Sequence, residues 1–190
     1  MDFLELYRYL LVLFGIGLVI FVHEAGHFIE HNVSRSDNPG GFHDGSPADP
    51  RLAWSEGYAT WLATAVLDRD TYIDTYPGGA SVWEVGASGI RASAWKPMSQ
   101  DISEYTVADL LFWMSQGAPN QRDGVNATVD VLSDYLPTRL LVDRGFQGLD
   151  LVEYLDGWFC RGHDDLARVS PLITDSAGFP YDFGGPTSCQ

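Results

Sequence analysis

Residues 10–22, Leu-Leu-Val-Leu-Phe-Gly-Ile-Gly-Leu-Val-Ile-Phe-Val, run without a break into His23-Glu24-Ala25-Gly26-His27. This junction constrains the fold more than any other part of the chain. No proline lies between Phe3 and His31, and Gly15 and Gly17 cost a helix only about 1 kcal/mol each. One nearly continuous helix over residues 3–31 is predicted, about 43 Å long at roughly 1.5 Å per residue. On a helix, positions i and i+4 share a face, so His23 and His27 can address one metal ion. Glu24 sits beside them, where a carboxylate can take a proton from water on that metal. Ala25 and Gly26 are small, as a tightly packed ligand helix requires.

Two imidazoles need a third ligand. A metzincin would place Gly at position 30 and His at position 33, but this chain has Glu30 and Val33. His31 lies one turn beyond His27, and three imidazoles spaced by one turn each diverge too far along the axis to close on one ion. It reads as a supporting or structural residue. Glu56 follows His27 after 28 intervening residues, enough for a loop and a returning helix. Asp37-Asn38-Pro39-Gly40-Gly41 is dense turn chemistry, and Asp49-Pro50 reads as a helix cap followed by a first-turn proline. From Arg51 to Leu67 the apolar residues fall at helical spacing. Glu56 therefore sits in the second turn of a helix able to lie antiparallel to the first. His23, His27 and Glu56 would hold zinc with one position left open for water, the arrangement of a hydrolytic site.

These segments, HEAGHFIEH, SRSDNPGG, DPRLAWSEGYATWLA and LDGWFCRGH, resemble bacterial extracytoplasmic metallopeptidases of the gluzincin type. The resemblance covers about residues 22–190. It implies a zincin-like, mainly helical core, a Zn2+ cofactor on His23, His27 and Glu56, Glu24 as general base, and a peptide or protein substrate. Two departures stand out. Thermolysin-like members carry an aspartate four residues after the ligand glutamate, and here that place is Thr60. Gluzincins also precede the active-site helix with a β-sheet whose edge holds the substrate, whereas only residues 1–22 precede His23 here and they read as helix. Either substrate is held differently, or the domain binds zinc and is catalytically silent.

The N-terminal run carries a second resemblance, to the first helix of the site-2 proteases, which place an HExGH helix in the membrane and take their third ligand from a later LDG motif. Leu155-Asp156-Gly157 matches that motif. Against an intramembrane enzyme, no second span exists and the residues before LDG are acidic. The run also lacks the basic start and cleavage site of a secretory signal. Residues 10–22 fall short of the roughly 20 residues that span a bilayer, and residues 3–22 reach that length only with Glu5 and Arg8 inside. The chain thus divides into a hydrophobic helix over residues 1–22, packed in a core or in contact with a membrane through residues 3–22, and a metallopeptidase-like domain over residues 23–190. An extracytoplasmic or membrane-associated location follows.

The formal charge of −15 and the pI near 4.4 exclude nucleic acid as a partner and explain solubility of the body. Later helices are expected from Ser103 as cap, over 127–135 with Asn126 as cap, and over 151–160 with Asp150 as cap. Strands are expected only around 81–96, so little or no sheet. Trp83 and Trp95 serve as buried anchors or line a substrate cleft. Cys160 and Cys189 are read as a disulfide, which implies an oxidising compartment. Hydrolysis also needs a donor for the oxyanion. His163 is the first choice, with His43, Tyr58, Tyr105 and Tyr181 as the other candidates.

Overall fold

The computed structural model describes residues 3–76, 79–87, 89–91, 97–116, 121–138, 144–163, 166–185 and 189. Trp95 lies outside them. The fold is mainly helical. Helix α1 spans Phe3–Val33 and α2 spans Pro50–Leu67, capped by the Asp49 carboxylate on the Arg51 N–H with Pro50 in the first turn. A hairpin follows, β1 (Thr71–Tyr76) paired antiparallel with β2 (Gly79–Glu84), with Tyr72 opposite Trp83 and Asp74 opposite Ser81. Next come α3 (Glu104–Gln116), α4 (Gln121–Asp130), a π-helical turn (Val131–Tyr135), the short α5 (Leu136–Thr138), α6 (Leu151–Cys160), and α7 (Leu166–Pro171) with a second π-helical turn (Leu172–Ser176).

Helix α2 is the hub. It is buried on all sides from Leu52 to Thr64, because α1 packs on one flank and α3 on the other, with α4 and α6 also touching it. Trp54, Tyr58 and Trp61 fill the centre, and Trp54 packs its ring on Tyr58 and Tyr154. A helix buried all round carries apolar residues on more than one stripe, here Leu52, Ala53, Ala59, Leu62 and Ala63, while its buried polar residues Ser55, Glu56 and Thr60 face the histidines of α1. Two glycines permit the close approaches. A Cβ at Gly26 would stand 2.8 Å from Ala59 Cα, and one at Gly57 would stand 2.6 Å from Val107 Cβ. These close approaches of α1 and α3 to α2 therefore fall at Gly57 and Ala59, within one turn of Glu56.

Helix α1 has two halves. From Val19 onward it docks on the body through Val19, Val22, Ile29 and Val33, with Gly26 at the crossing. Before that it is bare. Leu10, Leu11, Val12, Leu13 and Phe14 are all exposed, Phe14 by 72%. Leu11, Phe14, Leu18 and Phe21, the face that packing on the body would bury, are all exposed.

Two expectations are corrected here. The strands begin at Thr71, ahead of the 81–96 region, because Tyr72 and Trp83 supply a buried cross-strand pair that anchors the hairpin. Asn126 lies inside α4 and caps nothing, since that helix starts at Gln121. The caps at Ser103 and Asp150 are present. Ser103 Oγ accepts the Tyr105 N–H, and Asp150 and Glu153 form a reciprocal capping box. Cys160 and Cys189 are joined, tying the C-terminal coil to the end of α6.

Candidate metal centre

His23 and His27 project from the docked half of α1 toward α2. Their Nε2 atoms lie 3.1 Å apart, and Glu56 Oε2 stands 3.4 Å from the first and 3.3 Å from the second. Four ligands at about 2.0–2.1 Å in a tetrahedron stand roughly 3.3 Å from one another, so these spacings match a shared cation.

The proton count points the same way. Ser55 Oγ donates to Glu30 Oε2 at 2.6 Å, so its oxygen accepts from His27 Nδ1 at 3.0 Å. A proton is thereby held on His27 Nδ1, which leaves Nε2 to present a lone pair to a metal ion or to carry a second proton toward Glu56. His23 Nδ1 lies 3.1 Å from the Tyr72 hydroxyl and 3.5 Å from Thr60 Oγ1. In the neutral tautomers His23 Nε2, His27 Nε2 and Glu56 Oε2 are three electron-rich atoms that a metal ion would satisfy together. Outer hydrogen bonds of this kind fix the ring orientation and the tautomer of a ligating histidine. Thr60 from α2 and Tyr72 from β1 thus both stand within hydrogen-bonding distance of His23 Nδ1.

Burial works against ionising Glu56, but hydrogen bonds from His23 and His27 and the charges of His27 and His43 outweigh it. Together they hold its carboxyl well below the usual carboxylate range. Glu24 is exposed and lines the cleft that also holds His23, His27, Glu56 and His31. Its carboxylate is open to solvent.

His43 enters this group from the loop between α1 and α2. Its Nε2 lies 3.5 Å from Glu56 Oε2 and its Nδ1 lies 2.8 Å from Glu104 Oε2. The Glu104 carboxylate pushes the imidazole up to about 9, with burial opposing. His43, Glu56 and Glu104 thus form a second cluster that shares Glu56 with the first, and either is able to hold a metal ion. Glu104, buried at the start of α3, carries no local motif that would mark it in the sequence. Ser55 and Glu30 do: they lie within SEGYA and HFIEH, one residue before Glu56 and three after His27.

The other candidates lie elsewhere. His163 Nε2 is 3.0 Å from Asp130 Oδ2 and its ring packs on Trp158; it lines neither cavity beside the histidine pair. The turn through Gly162 at the end of α6 directs it toward α4 instead. Tyr58 is sealed in the core. Tyr181 donates to Asp156 Oδ1 at 2.6 Å, and Arg144 pairs with the same carboxylate, so the LDG aspartate stands outside both metal-capable groups. Tyr105 lines the neighbouring cavity. No family model, curated protein or solved structure matches the chain.

Proposed function

We propose that the chain is a zinc-dependent peptidase of the gluzincin type, tethered to a membrane by the first half of α1. The observation that carries the catalytic reading is the convergence of His23 Nε2, His27 Nε2 and Glu56 Oε2, with a carboxylate, Glu24, open to the same cleft. Zinc suits two imidazoles and one carboxylate, and when bound it would polarise a carbonyl and acidify water. The protein's own contribution follows from the placement of its side chains. Glu24 takes the proton from the attacking water and returns it to the leaving amine. His43, held through Nδ1 by Glu104, offers Nε2–H to the oxygen on which negative charge develops. Ser55, Glu30, Tyr72 and Thr60 keep the two ligand rings oriented.

The tether rests on the bare helix. Leu4 to Val22 spans about 28 Å at roughly 1.5 Å per residue, close to the hydrocarbon thickness of about 30 Å. Its hydropathy and length suffice for a span, and almost none of it is covered by the body. Glu5, Tyr7, Arg8 and Tyr9 cluster at its start, where headgroups accept charge and phenol. Such a tether puts the histidine pair at the membrane surface.

The test is metal content of the purified protein, then peptide hydrolysis with and without a chelator, for the native chain and Glu24→Gln. The reading expects about one zinc per chain, hydrolysis abolished by chelation, and a loss of roughly 100-fold or more in Glu24→Gln with zinc retained. Zinc without any hydrolysis would instead make the domain a silent zinc-binding module.

A further inference from the structure

Beside the metal group lies a second cavity of about 460 Å³. It shares His23, His43, Tyr72 and Asp74 with the cleft that holds Glu24 and Glu56, so the two lie side by side with the metal group at their boundary. Phe42, Tyr72, Trp83 and Tyr105 give it aromatic walls, and most of its surface is apolar. Its charged residues have one dominant sign. Asp44, Asp74 and Glu104 are carboxylates, while among the described residues no lysine or arginine lines it, and His43 is ion-paired with Glu104. Trp83 and Tyr105 already take a guanidinium elsewhere: Arg91 stands 4.5 Å from the Trp83 ring centroid and 4.6 Å from that of Tyr105. That arginine is neutralised by a two-pronged bond to Asp109, so it adds little positive charge to the cavity.

We infer that this cavity receives a long cationic side chain, arginine or lysine, of the peptide held at the metal group. The inference rests on the peptidase reading for its orientation and deepens it by naming the substrate class. The chemistry is that of an amphipathic slot. The methylene stem of lysine or arginine buries against aromatic faces, the cation gains from the ring quadrupoles, and Asp44 and Asp74 meet its charge. A glutamate side chain in the same place would face the carboxylates of Asp44 and Asp74. The net charge of −15 draws cationic peptides toward the groove and repels acidic ones.

Binding to the full-length Glu24→Gln protein with its metal tests this without requiring turnover. Blocked tetrapeptides that differ only in one residue, arginine, norleucine or glutamate, are titrated by calorimetry and by tryptophan fluorescence. The arginine peptide should bind about tenfold or more tighter than norleucine, glutamate should bind weakest, and the gap should shrink with salt. Asp44→Asn and Asp74→Asn should each narrow the arginine advantage while norleucine binding holds. Equal affinity for arginine and norleucine, an advantage untouched by both substitutions, or no binding at all would overturn the inference. Hydrolysis by the native protein is measured apart from this. Selective binding with no hydrolysis of any peptide would reject the peptidase reading and leave the cationic slot standing.

Discussion

Gly26 and Ala59 mark the point where α1 and α2 touch: a Cβ on Gly26 would lie 2.8 Å from the Ala59 Cα and 3.1 Å from its Cβ. His23 and His27 flank Gly26 on one helix, and Glu56 lies one turn before Ala59 on the other. The distance between ligands is therefore set by the absence of a single methyl group.

Gly26→Ala should separate the helices. The contact is with backbone, which cannot turn aside as a side chain would. Overpacking of this kind costs roughly 1–3 kcal/mol, partly offset by alanine's better helix propensity. A lower midpoint of thermal unfolding, together with weaker metal affinity in a competition titration against a chromophoric chelator, is the expected result. An unchanged metal affinity would show that the crossing does not govern ligand spacing.

His43 and His163 should separate in kinetics. His43→Ala removes the donor beside the metal group and should lower kcat by about 100-fold or more. Its zinc content should persist, because His23, His27 and Glu56 remain. His163→Ala breaks a half-exposed pair with Asp130. It should cost no more than about 1 kcal/mol of stability and leave kcat/KM within a few-fold. Steady-state rates and a urea titration on both variants check this, and a larger kinetic loss in His163→Ala than in His43→Ala would reverse the assignment.

The bare half of α1 should govern partitioning. The native protein should sediment with membranes and require detergent for extraction. Replacing Leu10, Leu13 and Phe14 together by serine should move it to the soluble fraction with metal content unchanged, since these side chains are exposed. Recovery of the native protein without detergent would remove the tether.

Asp150 and Glu153 supply a pH-dependent element far from the metal group. Asp150 accepts the Phe146 and Val152 N–H groups, so the negative charge rests there. Burial and the charge of Asp150 then push the Glu153 carboxyl far above its ordinary value. A folded pKa above the unfolded one means that folding favours the protonated form. The stabilisation is complete below the unfolded value of 4.5 and is lost as pH climbs toward the folded value of about 10. Glu153→Gln keeps a neutral side chain able to complete the capping box. It should be more stable than the native protein at pH 8, by about 1 kcal/mol or more, and no more stable at pH 4. Urea midpoints at the two pH values provide the check.

The long helix over residues 3–31, the returning helix and the approach of Glu56 to the histidines were all legible in the sequence. Each depends on short-range spacing: an i, i+4 pair, a cap with proline after it, an apolar period of 3.6. The two cysteines could likewise be paired from their count and position. His43 and Glu104 were not legible as a unit, because 60 intervening residues separate them and neither sits in a local motif. Nor was the part played by Tyr72, which reaches His23 only because the hairpin folds over α1 and pairs Tyr72 with Trp83. His163 drew attention through its neighbours in sequence, yet a turn at Gly162 sends it to Asp130. Helical periodicity decides which residues share a face, while Gly26 and Gly57 decide how closely the helices approach. Which loop and strand residues then surround the ligands depends on contacts between segments remote in sequence, and only the tertiary packing establishes those.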